Sequence, residues 1–168
     1  DVLVNGANGA VGILAEGAHV SVVNDGTIEV HSTGGAAVGM AFHADESVVE
    51  NTGSILAPMA ILGDAGLEDI RNAGLIVGAL ALDAGDDLFT NKSGGTWNVL
   101  GHVTDFGAGD DTIVNEAGGT IVMHDAKISL GYNGEAGNAF TNAGSIEVRG
   151  ESFIDMGTGA EPVVTMAP

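Results

Sequence analysis

The chain of 168 residues is 45% hydrophobic, with 28 glycines, 3 prolines and no cysteine, so it can form one domain with a sizeable core but no disulfides or thiolate metal sites. Its 23 acidic and 4 basic side chains give a formal net charge of −19. A surface of this sign repels phosphates, which argues against nucleic-acid partners, and no apolar run approaches the roughly 18–20 residues of a membrane span, which argues against membrane insertion.

Because the chain begins with DVLV rather than Met, we expect it to be a mature or excised segment of a longer protein. LVNG (3–6) then resembles a truncated first copy of a phrase that recurs along the chain. The full copies place apolar residues before an asparagine, a glycine shortly after it and an apolar residue beyond the glycine. They are VVNDGTI (22–28), VVENTGSI (48–55), DIRNAGLI (69–76), LFTNKSGGTW (88–97), TIVNEAGGTI (112–121) and AFTNAGSI (139–146).

The copies align into apolar columns. Two residues before the asparagines stand Val22, Val49, Ile70, Phe89, Ile113 and Phe140. After the glycines stand Ile28, Ile55, Ile76, Trp97, Ile121 and Ile146, and a second inward position follows two residues later. The residues between these two positions are mixed and often polar. Such alternation is typical of strands with one buried face.

The isoleucine column advances by 27, 21, 21, 24 and 25 residues, which is one coil of a solenoid per step. Each period also contains a third apolar stretch, such as VGMAFHA (38–44) or MAILGDA (59–65). The sequence therefore predicts an all-β fold, a right-handed parallel β-helix of about seven three-strand coils of about 24 residues. We expect the repeat domain to cover residues 1–150, with 151–168 as a terminal coil, tail or linker.

The repeated asparagines and glycines have a structural explanation. Asparagine tolerates left-handed backbone and glycine adopts positive φ without strain, so N-x-G turns the chain sharply between strands. Stacked coils would place the asparagines above one another, where their amides can pair along a ladder.

The repeats GAAVGM (35–40) and VVENTGSI (48–55) resemble the degenerate repeats of parallel β-helix passenger domains of bacterial autotransporters and related surface adhesins. The resemblance covers residues 2 to 150 and implies secretion through an outer membrane. It further implies an extracellular or cell-surface location and a role in adhesion, aggregation or display. We expect a non-catalytic surface module whose partner is a host-surface or matrix ligand.

Self-association is a separate expectation that follows from the fold. A β-helix has unpaired strand edges at both ends, so we expect end-to-end association with further copies or with neighbouring modules of a longer chain.

Two acidic turns are candidate metal sites. LDAGDDLFTN (82–91) and DFGAGDDTIVN (105–115) share A-G-D-D, and the second matches the G-x-G-x-D-x-U pattern of calcium-binding β-rolls. Asp86 aligns with Asp110 and Asp87 with Asp111, so one coil would separate each pair and stack like charges about 5 Å apart. Ca²⁺ would relieve that repulsion, and a solvated acidic turn is the alternative.

No enzyme is predicted, and no catalytic or cofactor-binding residue is assigned. The alternative is a polysaccharide-active β-helix of the pectate-lyase type, but a surface with a net charge of −19 repels anionic polymers.

Trp97 is expected in the core and Tyr132 on an exposed loop. The five histidines, expected at the surface without a shared column, are His19, His31, His43, His102 and His124.

Overall fold

The computed structural model describes residues 1–99, 101–131, 137–157 and 163–166. These residues form parallel-paired strands, and no helix among them is long and apolar enough to cross a bilayer. The strands are Val2–Gly6 (β1), Ala10–Asn24 (β2), Thr27–Ser32 (β3), Ala37–Asn51 (β4), Ser54–Leu62 (β5), Leu67–Asn72 (β6), Leu75–Ala81 (β7), Leu88–Asn91 (β8), Thr96–Asn98 (β9), Val103–Asp105 (β10), Thr112–Asn115 (β11), Thr120–His124 (β12), Lys127–Ser129 (β13), Ala139–Asn142 (β14), Ser145–Arg149 (β15), Phe153–Asp155 (β16) and Val163–Met166 (β17).

The architecture is a parallel β-solenoid, which confirms the predicted fold class. Each coil has one strand ending at the repeated asparagine, one beginning after the turn, and a third formed by the additional apolar stretch. In the first coils the third strand runs directly into the asparagine strand, so β2 and β4 have 15 residues each and pair along most of their length. Later coils divide the same path into shorter strands.

The predicted isoleucine column is the centre of the core. Direct register pairs link Ile28 to Ile55, then to Ile76, Trp97, Ile121 and Ile146. The first five side chains are at most 2% exposed, and the last is partly buried. The column that precedes the asparagines is likewise in register from Val22 to Phe140 and continues to Val164.

The first short phrase, LVNG, does not lie where the repeat pattern placed it. β1 pairs with β3, which follows the turn, and Asn5 stands opposite His31 rather than in the column of repeated asparagines. Val2 therefore heads the isoleucine column. Because six steps lead from Val2 to Ile146, the described coils make about six turns, and the predicted seven include this partial coil.

Trp97 is a core residue, as predicted. It is fully buried, its ring centroid lies 4.6 Å from that of Phe89, and its Nε1 donates to the Gly78 carbonyl at 3.1 Å. Gly78 has φ +129°, and a Cβ there would lie 1.8 Å from the Ala57 carbonyl oxygen. The missing side chain at Gly78 thus permits close stacking of the coils beside the bulky indole.

The stack continues past residue 150. β16 pairs with β13, and β17 pairs with β14. These strands belong to a last coil, while the predicted division at residue 150 stays a prediction. Tyr132 lies outside the described residues.

Replacing Ile76 with Asp tests the inward column. The change buries an unpaired carboxylate in a middle coil, which we expect to lower the free energy of unfolding by about 3–5 kcal/mol. The matched control is Val77→Asp, because Val77 is the next residue on the same strand but is only partly buried. Thermal and urea unfolding of both variants would measure the difference, and equal losses would contradict the assignment of faces.

Candidate functional site

Six repeated asparagines form a continuous ladder inside the wall of the solenoid. Each Nδ2 donates to the Oδ1 of the asparagine one coil later, at distances of 2.7, 2.8, 2.9, 2.8 and 2.6 Å. All six side chains are at most 7% exposed. The members of this asparagine ladder are Asn24, Asn51, Asn72, Asn91, Asn115 and Asn142.

The ladder also fastens the turns. Asn72 Nδ2 donates to the carbonyls of Gly74 and Thr96 at 3.2 Å, and Asn91 Nδ2 donates to those of Gly95 and Thr120 at 3.2 and 3.1 Å. Each amide therefore joins its own turn to the strand of the next coil. The predicted pairing of amides along a ladder is confirmed, and the N-x-G repeats are structural.

The four aspartates predicted as calcium ligands divide into two pairs. Asp87 and Asp111 are 1% and 0% exposed, whereas Asp86 and Asp110 face solvent. The predicted 24-residue register is confirmed, because the Asp110 amide donates to Asp86 Oδ1 and the Asp87 amide donates to Asp111 Oδ1, both at 3.0 Å. Alternation along the chain thus separates an outer pair from an inner pair.

No metal centre is assembled within the part of the chain that the structure describes. There, no group of three or more His, Cys, Asp or Glu residues is placed to hold a metal ion. Calcium at the outer or inner pair stays a prediction.

The sequence analysis missed a third acid in the inner column. Glu68 is fully buried, and its backbone amide donates to Asp87 Oδ1 at 2.8 Å. At the other end, the Asp111 amide donates to Asn138 Oδ1 at 2.8 Å. We call Glu68, Asp87 and Asp111 the acid column. Each lies four residues before a ladder asparagine, and the phrase A-G-L-E at 65–68 repeats A-G-D-D with leucine at the outer position.

The acid column is in an unfavourable environment for charge. Burial, with repulsion from Asp87 and Asp64, raises the pKa of Glu68 to about 8. Burial also raises the pKa of Asp87, to about 7, although hydrogen bonds with Glu68 lower it and Asp86 adds repulsion. Both groups therefore retain a proton far more readily than an ordinary carboxyl group.

A groove of about 410 Å³ lies beside the turn at 63–66. Its described lining contains the ion pair between His43 Nδ1 and Asp64 Oδ2, 3.4 Å apart, together with Asp45, but no serine, lysine or arginine. The other paired histidines each meet a different acid: His19 with Glu46, His31 with Glu29 and His124 with Asp125. The described histidines therefore do not converge on one site.

No protein-family model, curated protein or solved structure matched this chain. The function has to be inferred from the geometry of its own residues.

Removing an amide from the middle of the ladder should cost more than removing one from its end. Asn91→Ala removes two ladder bonds, those with Asn72 and Asn115, together with the bonds to two turn carbonyls. Asn142→Ala removes one ladder bond, that with Asn115, together with the bond to the Gly144 carbonyl. Each unsatisfied buried group costs about 1–3 kcal/mol. We expect urea unfolding to show the larger loss for Asn91→Ala, and equal losses would mean that the ladder bonds contribute no stability.

Calcium binding at the acidic turns predicts a specific pattern of melting temperatures. Millimolar Ca²⁺ bridging Asp86 and Asp110 should raise the melting temperature by mass action. The double variant Asp86→Asn/Asp110→Asn should abolish this shift, and Asp87→Asn/Asp111→Asn should retain it, because only the outer pair is open to solvent. An unchanged melting temperature up to several millimolar Ca²⁺ would mean that the turns are only solvated.

Proposed function

We propose that the chain is a non-catalytic, extracellular rod segment that acts by end-to-end association with another solenoid unit. The supporting observation is the distribution of exposed apolar side chains. Of the ten large exposed hydrophobics among the described residues, eight lie on the first or last coil. These eight are Leu3, Val11, Leu14, Val23, Val148, Phe153, Val164 and Met166.

The backbone at both ends supports axial association. The Gly6 carbonyl accepts from the Thr33 amide, so alternate residues of β1, including Leu3, direct their amide and carbonyl groups away from the stack. At the other end, the Arg149 carbonyl accepts from the Asp125 amide, so Val148, like Ile146, directs its amide and carbonyl groups away from the stack. Such unpaired edges are templates for a further strand.

The core columns also reach both ends. Val2, Val4 and Ile13 are only partly buried on the first coils, as are Ile154 and Met156 on the last. A second solenoid placed end to end would extend these columns and remove their apolar surface from water. Hydrophobic burial therefore favours an axial joint.

The charge distribution disfavours lateral contact. The lateral surface carries most of the acidic side chains, and no lysine or arginine precedes Arg71. The last coils hold both signs, with Lys127 Nζ 3.1 Å from Asp155 and Arg149 4.0 Å from Glu147. Two rods side by side would bring like charges together, whereas a head-to-tail joint would place the acidic first coil against a mixed surface.

The extracellular, cell-surface placement rests on the resemblance to autotransporter and adhesin passengers, whose parallel β-helix has the same architecture. In that setting the rod would display or connect neighbouring modules, or contact a host-surface or matrix ligand. The His43–Asp64 groove gives no support to chemistry of the pectate-lyase type, because its described lining contains neither the lysine nor the arginine that abstracts the proton in that reaction.

Edge-blocking variants test this function. Proline has no N–H and its ring obstructs a pairing edge, yet an edge strand tolerates it. Leu3→Pro should block one end and Val148→Pro the other, and each variant alone should remain monomeric in light scattering. The unmodified chain should associate with rising concentration and more strongly with salt, which screens the −19 charge. Leu3→Val and Val148→Ile are the matched controls that retain the amide.

The mixture of the two blocked variants gives the sharper result. Each retains the end that the other lacks, so an equimolar mixture should form dimers and nothing longer. An unmodified chain that stays monomeric at every concentration and salt, or a mixture that forms no dimer, would contradict head-to-tail association. Depolymerisation of any polysaccharide by the isolated chain would overturn the non-catalytic assignment.

A further inference from the structure

Glu68 and Asp87 are unusual because their carboxyl oxygen atoms outnumber the hydrogen-bond donors that reach them. Glu68 Oε1 and Oε2 and Asp87 Oδ2 are buried and receive no hydrogen bond from a backbone amide or a non-acidic side chain among the described residues. Asp87 Oδ1 accepts a hydrogen bond from the Glu68 amide, and Asp111 Oδ1 accepts one from the Asp87 amide. A buried, ionised carboxylate with so few donors is strongly destabilised.

Among the described residues, no lysine or arginine is paired with Glu68 or Asp87. The titratable groups that act on Glu68 are the acids Asp87 and Asp64, and Asp87 is acted on by Glu68 and Asp86. Ser47 precedes Glu68 in the same register and Asn138 follows Asp111, and both side chains are uncharged at neutral pH. Asp64, which acts on Glu68, pairs with His43, and this histidine is exposed.

The surrounding backbone leaves little room for water. A Cβ on Gly63 would lie 2.4 Å from Glu68 Oε2, so the carboxyl group packs directly beneath the turn at 63–66. The turns themselves stack in close contact, because a Cβ on Gly85, at φ +148°, would lie 1.8 Å from the Gly66 carbonyl oxygen. Hydration therefore cannot substitute for the missing donors without opening the turns.

We propose that the buried Glu68–Asp87 pair retains protons up to neutral pH, where ordinary carboxyl groups have released theirs, and that it stabilises the middle coils in a pH-dependent way. Protonated, one carboxyl group can donate to the other and the column is neutral at these two positions. Deprotonated, adjacent carboxylates repel each other beneath tightly packed turns. The middle coils are therefore most stable at acidic pH and lose stability as the pH rises.

Proton linkage gives the direction in which the stability of the folded chain changes with pH. The pKa of Glu68 rises from 4.5 to about 8 on folding, and that of Asp87 rises from 3.8 to about 7. Between these limits the folded chain binds protons that the unfolded chain has released, so stability falls as pH increases. The contribution is fully present below about pH 4 and is lost once the pH passes about 8.

Melting temperatures from pH 5 to 9.5 test this proposal, measured at high salt so that surface repulsion is screened. We expect the melting temperature of the unmodified chain to fall by on the order of 10 °C. Glu68→Gln and Asp87→Asn should flatten the dependence, because their amides remain neutral throughout. Asp110→Asn is the matched control, because it removes an exposed charge that does not act on Glu68 or Asp87 and should leave the slope unchanged. A flat profile for the unmodified chain, or an equal effect of Asp110→Asn, would overturn the proposal.

A second measurement detects the protonated carboxyl groups directly in the unmodified chain, so it does not depend on whether the variants fold. Infrared spectra of the unmodified folded chain at pH 7 should contain the carbonyl band of protonated carboxylic acids, and this band should disappear by pH 9.5. Its absence at pH 7 would overturn the proposal. Restoration of the melting temperature at pH 9.5 by Ca²⁺, in the unmodified chain but not in Glu68→Gln, would also overturn it by assigning the column to a cation.

Discussion

Axial stacking is the constraint on which this fold depends. Parallel pairing places every inward side chain about 4.8 Å from its equivalent one coil away, so each position must be compatible with a copy of itself. Apolar residues meet this condition easily, and the isoleucine column does so even where Trp97 replaces isoleucine. Because the chain has only 4% aromatic residues and no cysteine, this repeated aliphatic packing supplies its core.

The same constraint separates the two polar columns. An amide has both a donor and an acceptor, so each asparagine can bond to the one above and to the one below. A carboxylate has acceptors only, and stacking it on another carboxylate adds repulsion to desolvation. Asn138 and the ladder asparagines are therefore compatible with burial at any pH, whereas Glu68 and Asp87 require a proton. The acid column and the asparagine ladder, four residues apart along the chain, therefore differ in their dependence on pH.

Much of the fold was predictable because the repeat restricts each column to a few residue types. The isoleucine and asparagine positions show the strand alternation and the coil spacing directly. Glu68 was missed because its coil advances only 19 residues between asparagines and because leucine replaces the first acid of the A-G-D-D phrase. The alternation that places Phe89 inward also places Asp87 inward, yet acidic residues are expected at the surface. The sequence analysis assigned Asn5 to the wrong column, because the short phrase LVNG has too few flanking residues to determine the register of its strand.

The asparagine ladder has a direction. Every described rung donates from the earlier coil to the later one, so the amide dipoles add along the axis and polarise one another. The two ends of the ladder are consequently not equivalent: the amide of Asn24 donates to the next asparagine, whereas that of Asn142 accepts from the preceding one. A fibre made of such units pointing the same way would be polar throughout its length. Its two tips would add and lose subunits at different rates, so growth would proceed mainly from one of them.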